Sequence, residues 1–74
     1  MVNMAVKVAA RRKELGMTQM ELARAAGVGQ HTVSDIETGR HIPKVDVAIL
    51  ICRALDRAVE ELFVVDGQGN AKPI

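Results

Sequence analysis

Apolar positions recur along this chain at three- and four-residue spacing, the period of amphipathic helices, and glycines interrupt the pattern at 16, 27 and 39. Ala5, Val8, Arg12 and Leu15 fall on one face of a first helix over about residues 4–14, which Asn3 caps and Gly16 ends. Thr18 and Glu21 have the spacing of a capping box, in which hydroxyl and carboxylate each satisfy a free backbone N–H. With Met17 and Leu22 placed as a hydrophobic staple, the second helix starts at Gln19 and stops at Gly27. A third helix covers about residues 30–38, with Val28 and Val33 again at staple spacing and Gly39 after it. "RHIPK" is a loop, since Pro43 disfavours helix in the residue before it. A fourth helix spans about residues 45–55 and a short fifth about 59–64, with Glu60 and Glu61 near its positive end. "DGQGNAKPI" is turn-rich, and residues 66–74 are expected to fray as a flexible tail. A hairpin from "FVV" through "DGQG" is the weaker alternative. The expectation is an all-α, compact five-helix domain over residues 1–65.

Composition agrees. Seventy-four residues make one domain, and 49% hydrophobic residues exclude a disordered tail. Phe63 is the sole aromatic, so the core is aliphatic, which suits packed helices. A domain this small buries only about 60% of its unfolded surface, so a partner subunit would help it. The fourth helix points the same way. Ala48, Ile51, Cys52 and Leu55 make its core face, yet Val47 and Leu50 lie outside that face and are apolar too. A helix apolar all round is covered all round. Val47, Leu50, Val59 and Phe63 are therefore the candidates for a homodimer interface.

Other chemistry is excluded more easily. "VAILIC" is the longest apolar run, and its six residues are too few to span a membrane. The first residues lack a signal-peptide pattern, so the expected location is cytoplasmic. Cys52 is the one cysteine, which leaves no disulfide framework and a small core filler. His31 and His41 have no carboxylate or cysteine at ligand spacing, so no metal is expected. With no nucleophile–histidine–acid spacing and no phosphate loop, neither an enzyme nor a cofactor is expected. Net charge is +1 overall, but residues 1–44 carry +3 and residues 45–74 carry −2, so the first part is suited to face an anion.

The link between the second and third helices is the most informative stretch. Packing two helices across about three residues needs a small side chain at their contact, supplied by Ala23, and a turn that Gly27 adopts freely. Leu22, Ala26, Val28, Val33 and Ile36 supply apolar contacts that lock the pair. This is helix-turn-helix spacing. Val33 and Ile36 share one face of the third helix, which leaves Gln30, His31, Ser34 and Asp35 outward. Short hydrogen-bonding side chains serve no core; they suit the reading of something polar.

"GMTQMELARAAGVGQHTVSDIETGRHIPKVDVAILICRALDRAVEELF" resembles the helix-turn-helix class of phage repressor, Cro and related small bacterial regulators, over about residues 5–63. Gln19, Ala23, Gly27, Val33 and Ile36 fall on that family's most telling positions. The resemblance implies a five-helix globule whose third helix enters the DNA major groove, and a dimer formed through the C-terminal region. It implies that Gln19 contacts a phosphate, and that Gln30 reads a base and braces Gln19. His31 and Asp35 match the other base-facing positions, with Thr32 and Ser34 beside them. Arg40 matches a backbone-contacting position, and Arg12 and Glu37 match a partly buried ion pair. Three departures stand out: Lys44 and Ala58 where the family often has hydroxyl caps, and Asp56 where it often has glycine.

The residues themselves agree. A glutamine amide offers the donor and acceptor that complement adenine N6 and N7, and a helix N-terminus attracts phosphate. Lys7, Arg11, Lys13, Arg40 and Lys44 are the cations available to a nucleic-acid backbone. The expected partner is double-stranded DNA, bound by a homodimer on an inverted repeat. The competing class is an antitoxin-like module that masks a protein partner, with or without DNA binding.

Overall fold

In the chain order of the computed structural model, which describes residues 6–74, five helices precede a two-stranded hairpin. They are α1 (Val6–Glu14), α2 (Gln19–Ala26), α3 (Gln30–Glu37), α4 (Val45–Leu55) and α5 (Val59–Leu62), followed by β1 (Phe63–Val65) and β2 (Ala71–Pro73). The expected Asn3 cap and Ala5 lie outside the described residues. Val8 of α1, Leu22, Ala23 and Ala26 of α2, Val33 and Ile36 of α3, and Ala48, Ile51, Cys52 and Leu55 of α4 meet in one core. Leu15 was expected on that core face but is 42% exposed. Helix α1 ends at Glu14, and Leu15 lies just past that end, its N–H still on the Arg11 carbonyl at 3.2 Å, before the chain turns through Gly16 at φ 69°.

The fold is not strictly all-α. Residues 66–74 were expected to fray; instead β1 and β2 pair antiparallel, with Phe63 opposite Pro73, Val64 opposite Lys72 and Val65 opposite Ala71. The turn closes on Asp66. Its Oδ1 accepts the N–H groups of Gln68 and Asn70 at 2.8 and 3.0 Å, which holds its carboxyl below the usual aspartate range. Gly69 supplies the left-handed residue, at φ 82°. Packing then rewards the pairing, since Ala71 and Phe63 are buried at 0% and 1% exposure. Helix α5 is two residues shorter than its expected end at 64, because Phe63 turns extended to begin β1.

The burial of Phe63 corrects a second expectation. A ring closed inside its own subunit cannot be part of a dimer surface, so Phe63 leaves that set of candidates.

The hairpin also answers for the weak caps. Lys44 offers no side-chain acceptor to the first turn of α4. The Gly69 carbonyl accepts the Val45 N–H at 2.8 Å, and Ala71 N–H donates to the Pro43 carbonyl at 2.8 Å. Ile74 bonds to both Leu62 and the first turn of α1, where Lys7 N–H donates to its carbonyl at 3.1 Å. At the other end of α4, Asp56 takes the left-handed conformation, φ 56° and ψ 49°, that glycine would adopt without strain. At α5 an alanine cap has no acceptor, so only half of a capping box forms: Ala58 N–H donates to Glu61 Oε1 at 2.8 Å.

Candidate nucleic-acid interface

The site is the junction of α2 and α3. Thr18 caps α2 in a complete capping box: its hydroxyl accepts the Glu21 N–H at 3.0 Å and its own N–H donates to Glu21 Oε1 at 2.8 Å. Gly27 ends the helix in the left-handed region, at φ 75°, and Val28 N–H returns to the Ala23 carbonyl at 3.0 Å. That bond tightens the turn, so α3 begins again at Gln30. Ala23 and Val33, at 3% and 0% exposure, sit in the core that joins the two helices. No side chain caps α3, because the capping position is Gly29. The Thr32 N–H closes on the Gly29 carbonyl at 3.1 Å, while those of Gln30 and His31 have no partner among the described residues.

With Val33 and Ile36 turned inward, the outer face of α3 is fixed. Gln30 and His31 are exposed, while Thr32, Ser34 and Asp35 are half-buried. Gln30, His31 and Ser34 line a shallow depression of about 290 Å³ together with Gln19, from the start of α2. Thr32 and Asp35 do not line it. At the end of α3 the Asp35 carbonyl accepts the N–H of Arg40 at 2.9 Å, so Arg40 is anchored by its backbone with its residue exposed. Lys13 and Lys44 are exposed as well.

Arg11 is placed differently. It was expected at a phosphate, but its Nε donates to the Leu55 carbonyl at 2.8 Å and its Nη1 meets Glu14 at 3.2 Å. The side chain closes the C-terminal end of α4, where a cation satisfies an orphan carbonyl. It is not a free cation on the α2–α3 face.

Beneath the depression lies a charged cluster. Glu37 of α3 is 6% exposed, and Arg12 of α1 grips it bidentately, Nε to Oε2 at 2.7 Å and Nη2 to Oε1 at 3.0 Å. The third guanidinium nitrogen, Nη1, donates to the Met17 carbonyl at 2.8 Å. Gln19 Nε2 adds a bond to Glu37 Oε1 at 3.0 Å. No buried polar side-chain atom among the described residues is left without a partner. The Glu37 hydrogen bond raises the Arg12 pKa above its ordinary value, so the guanidinium keeps its charge. The Gln19 bond was not foreseen from sequence. Spacing puts Gln19 near the α3 face, but only the rotamer shows that its amide turns inward.

A family model described as helix-turn-helix matches residues 8–62, which spans α1 to α5. The chain belongs to the helix-turn-helix family.

A helix-turn-helix transcriptional regulator of Methanothermobacter thermautotrophicus, itself uncharacterized, is 46% identical over 59 residues, covering 78% of this chain and 86% of that one. An uncharacterized regulator of Archaeoglobus fulgidus is 37% identical over 57 residues, 77% of this chain and 81% of its own. The regulator YgzD of Bacillus subtilis, also uncharacterized, is 35% identical over 57 residues, 77% and 86% respectively. No solved structure matches. This helix-turn-helix protein is thus an XRE-like, DNA-binding transcriptional regulator by family. No helix among the described residues is long and apolar enough to cross a membrane.

Proposed function

We propose that this helix-turn-helix protein is a repressor-like regulator that reads double-stranded DNA with α3, as a homodimer on an inverted repeat. The observation that carries the reading is the depression where Gln30, His31 and Ser34 of α3 converge with Gln19 of α2, on a pair of helices locked from behind by Ala23, Val33 and Ile36. Gln30 presents a donor and an acceptor at the first turn of α3, the pattern that adenine complements in the major groove. His31, Ser34, Thr32 and Asp35 extend that face. Arg40, Lys13 and Lys44 hold the backbone, and these contacts set register while α3 sets sequence.

The second copy follows from two features. One α3 covers only a half-site, and two recognition helices about 34 Å apart meet successive major grooves on one face of DNA. On α4, Leu50 and Ile49 are 38% and 37% exposed, and Val47 is half-buried. Together with Val59 they are the apolar surface offered to a partner subunit.

Selection of bound duplexes from a random pool, repeated at two salt concentrations, tests the reading. The expected result is an inverted repeat whose affinity falls with salt. Recovery of no preferred sequence at either salt would refute it and leave a protein partner as the ligand to seek.

A further inference from the structure

The β1–β2 hairpin lies past residues 8–62, the part of the chain that the family matches, yet it is bonded to the loop that carries two of the proposed backbone contacts. That loop runs from the end of α3 to the start of α4 and is held at both ends. At its start the Asp35 carbonyl accepts the N–H groups of Arg40 and His41, at 2.9 and 3.3 Å. At its end Lys44 lies opposite Asn70 in an antiparallel bridge. Two backbone bonds flank that pair, Val45 N–H to the Gly69 carbonyl and Ala71 N–H to the Pro43 carbonyl, both at 2.8 Å. Pro43 is buried, while Lys44 is exposed. The hairpin is closed in turn by Asp66: its Oδ1 accepts the N–H groups of Gln68 and Asn70, and its Oδ2 accepts the Asn70 side-chain amide at 3.3 Å.

We infer that Asp66 is a positioning residue for DNA binding: by closing the β1–β2 hairpin it fixes the chain at Lys44 and so sets that lysine for the DNA backbone. The inference rests on the DNA-reading proposal above and deepens it. Ordering a loop costs free energy, and an interface whose parts are ordered beforehand does not meet that cost on binding. Lys44 enters α4 in an extended conformation, φ −69° and ψ 158°, with no side-chain cap to hold it there. The two bonds to the hairpin hold it instead. With the turn open, the loop keeps only its tie to Asp35, and Lys44 has to be ordered by the DNA itself. Arg40 is anchored from the α3 side and does not share this dependence. The hairpin thus serves one backbone contact and not the other.

Two variants separate the turn from the charge. Asp66→Ala and Asp66→Asn both remove the carboxylate charge, and only Asp66→Asn keeps an acceptor oxygen for the Gln68 and Asn70 N–H groups. Backbone hydrogen exchange by NMR reads the contact without DNA. The Val45 and Ala71 N–H groups should be protected in the parent and in Asp66→Asn, and should exchange about tenfold faster in Asp66→Ala, where the hairpin opens locally. Equal protection in all three overturns the inference. On DNA, Lys44→Gln in the Asp66→Asn background should weaken every duplex alike and lower the salt slope by about one. In the Asp66→Ala background it should change both far less, whereas Arg40→Ala should act equally in the two. Such non-additivity marks residues that act together. A hairpin that only stabilises the fold leaves the Lys44→Gln effect the same in both backgrounds, and that result overturns the inference. Should Asp66→Ala not fold, a synthetic chain with an ester in place of the Asn70–Ala71 amide removes the N–H that meets Pro43, and the same comparison of Lys44→Gln decides. A parent that binds no duplex sinks the DNA reading itself, and this use of the hairpin with it.

Discussion

Glu37 is the residue on which most of the α1–α3 contact depends. Three N–H groups converge on a carboxylate at 6% exposure, and two of them belong to a guanidinium whose side chain is 11% exposed. Glu37→Ala leaves that guanidinium buried without its partner, and such one-sided losses cost about 3–5 kcal/mol. Thermal unfolding should show a drop of well over ten degrees, whereas a midpoint within a degree or two of the parent would mean that the pair is exposed in solution. The two ends of this pair were legible in the sequence because Arg12 lies on the Val8 face and Glu37 follows Ile36. The Gln19 bond was not, since spacing fixes a face but not an amide rotamer. Cys52 offers a second test at this scale. Burial, helped by Glu61 and Glu60, pushes its thiol up from 9.0 to about 11. Between those pH values the unfolded chain releases the proton and the folded chain keeps it, so stability falls as pH rises. The slope approaches about 1.4 kcal/mol per pH unit at most. Denaturant titrations at pH 8, 9 and 10 should show this decline, and a Cys52→Ala variant should lack that part of it.

At the scale of elements, α2 and α3 were legible almost to the residue. A capping box, a left-handed glycine and staple-spaced valines are local signals, and they agree with the apolar period. The hairpin was harder to read because its support is not local. Phe63 and Ala71 are buried by the helices, and the Gly69 and Pro43 carbonyls find partners across 24 and 28 residues of chain, namely the N–H groups of Val45 and Ala71. The same long-range bonds explain why α4 does without a hydroxyl cap. Asp56 is the element end that remains strained, at φ 56°. Glycine adopts that conformation without a Cβ penalty, so Asp56→Gly should stabilise the protein by about 0.5–1 kcal/mol, a rise of several degrees for a domain of this size. A lower midpoint in that variant would show that the Asp56 side chain contributes more than its backbone costs.

For the whole molecule, charge is divided unevenly along the chain, +3 over residues 1–44 and −2 over residues 45–74. The basic first part carries Lys13, Arg40 and Lys44, while the exposed apolar residues of α4 belong to the acidic second part. A dimer through α4 would cover these apolar residues. Sedimentation should find dimers on the selected site; monomers alone at high micromolar concentration, free and on DNA, would rule out the second copy. The polar side of α3 was legible in the sequence as a face, because Val33 and Ile36 fix which side turns inward, but its role is settled only by binding. Gln30→Ala, measured against the selected duplex and each of its single-base variants at several salt concentrations, tests that role most directly, with Arg40→Ala as its counterpart. Gln30→Ala should flatten preference at one base pair per half-site, by about 1–3 kcal/mol, and leave the salt dependence unchanged. Arg40→Ala should weaken all sequences alike and lower the salt slope by about one. If Gln30→Ala keeps the base preferences of the parent, α3 is not the reading element.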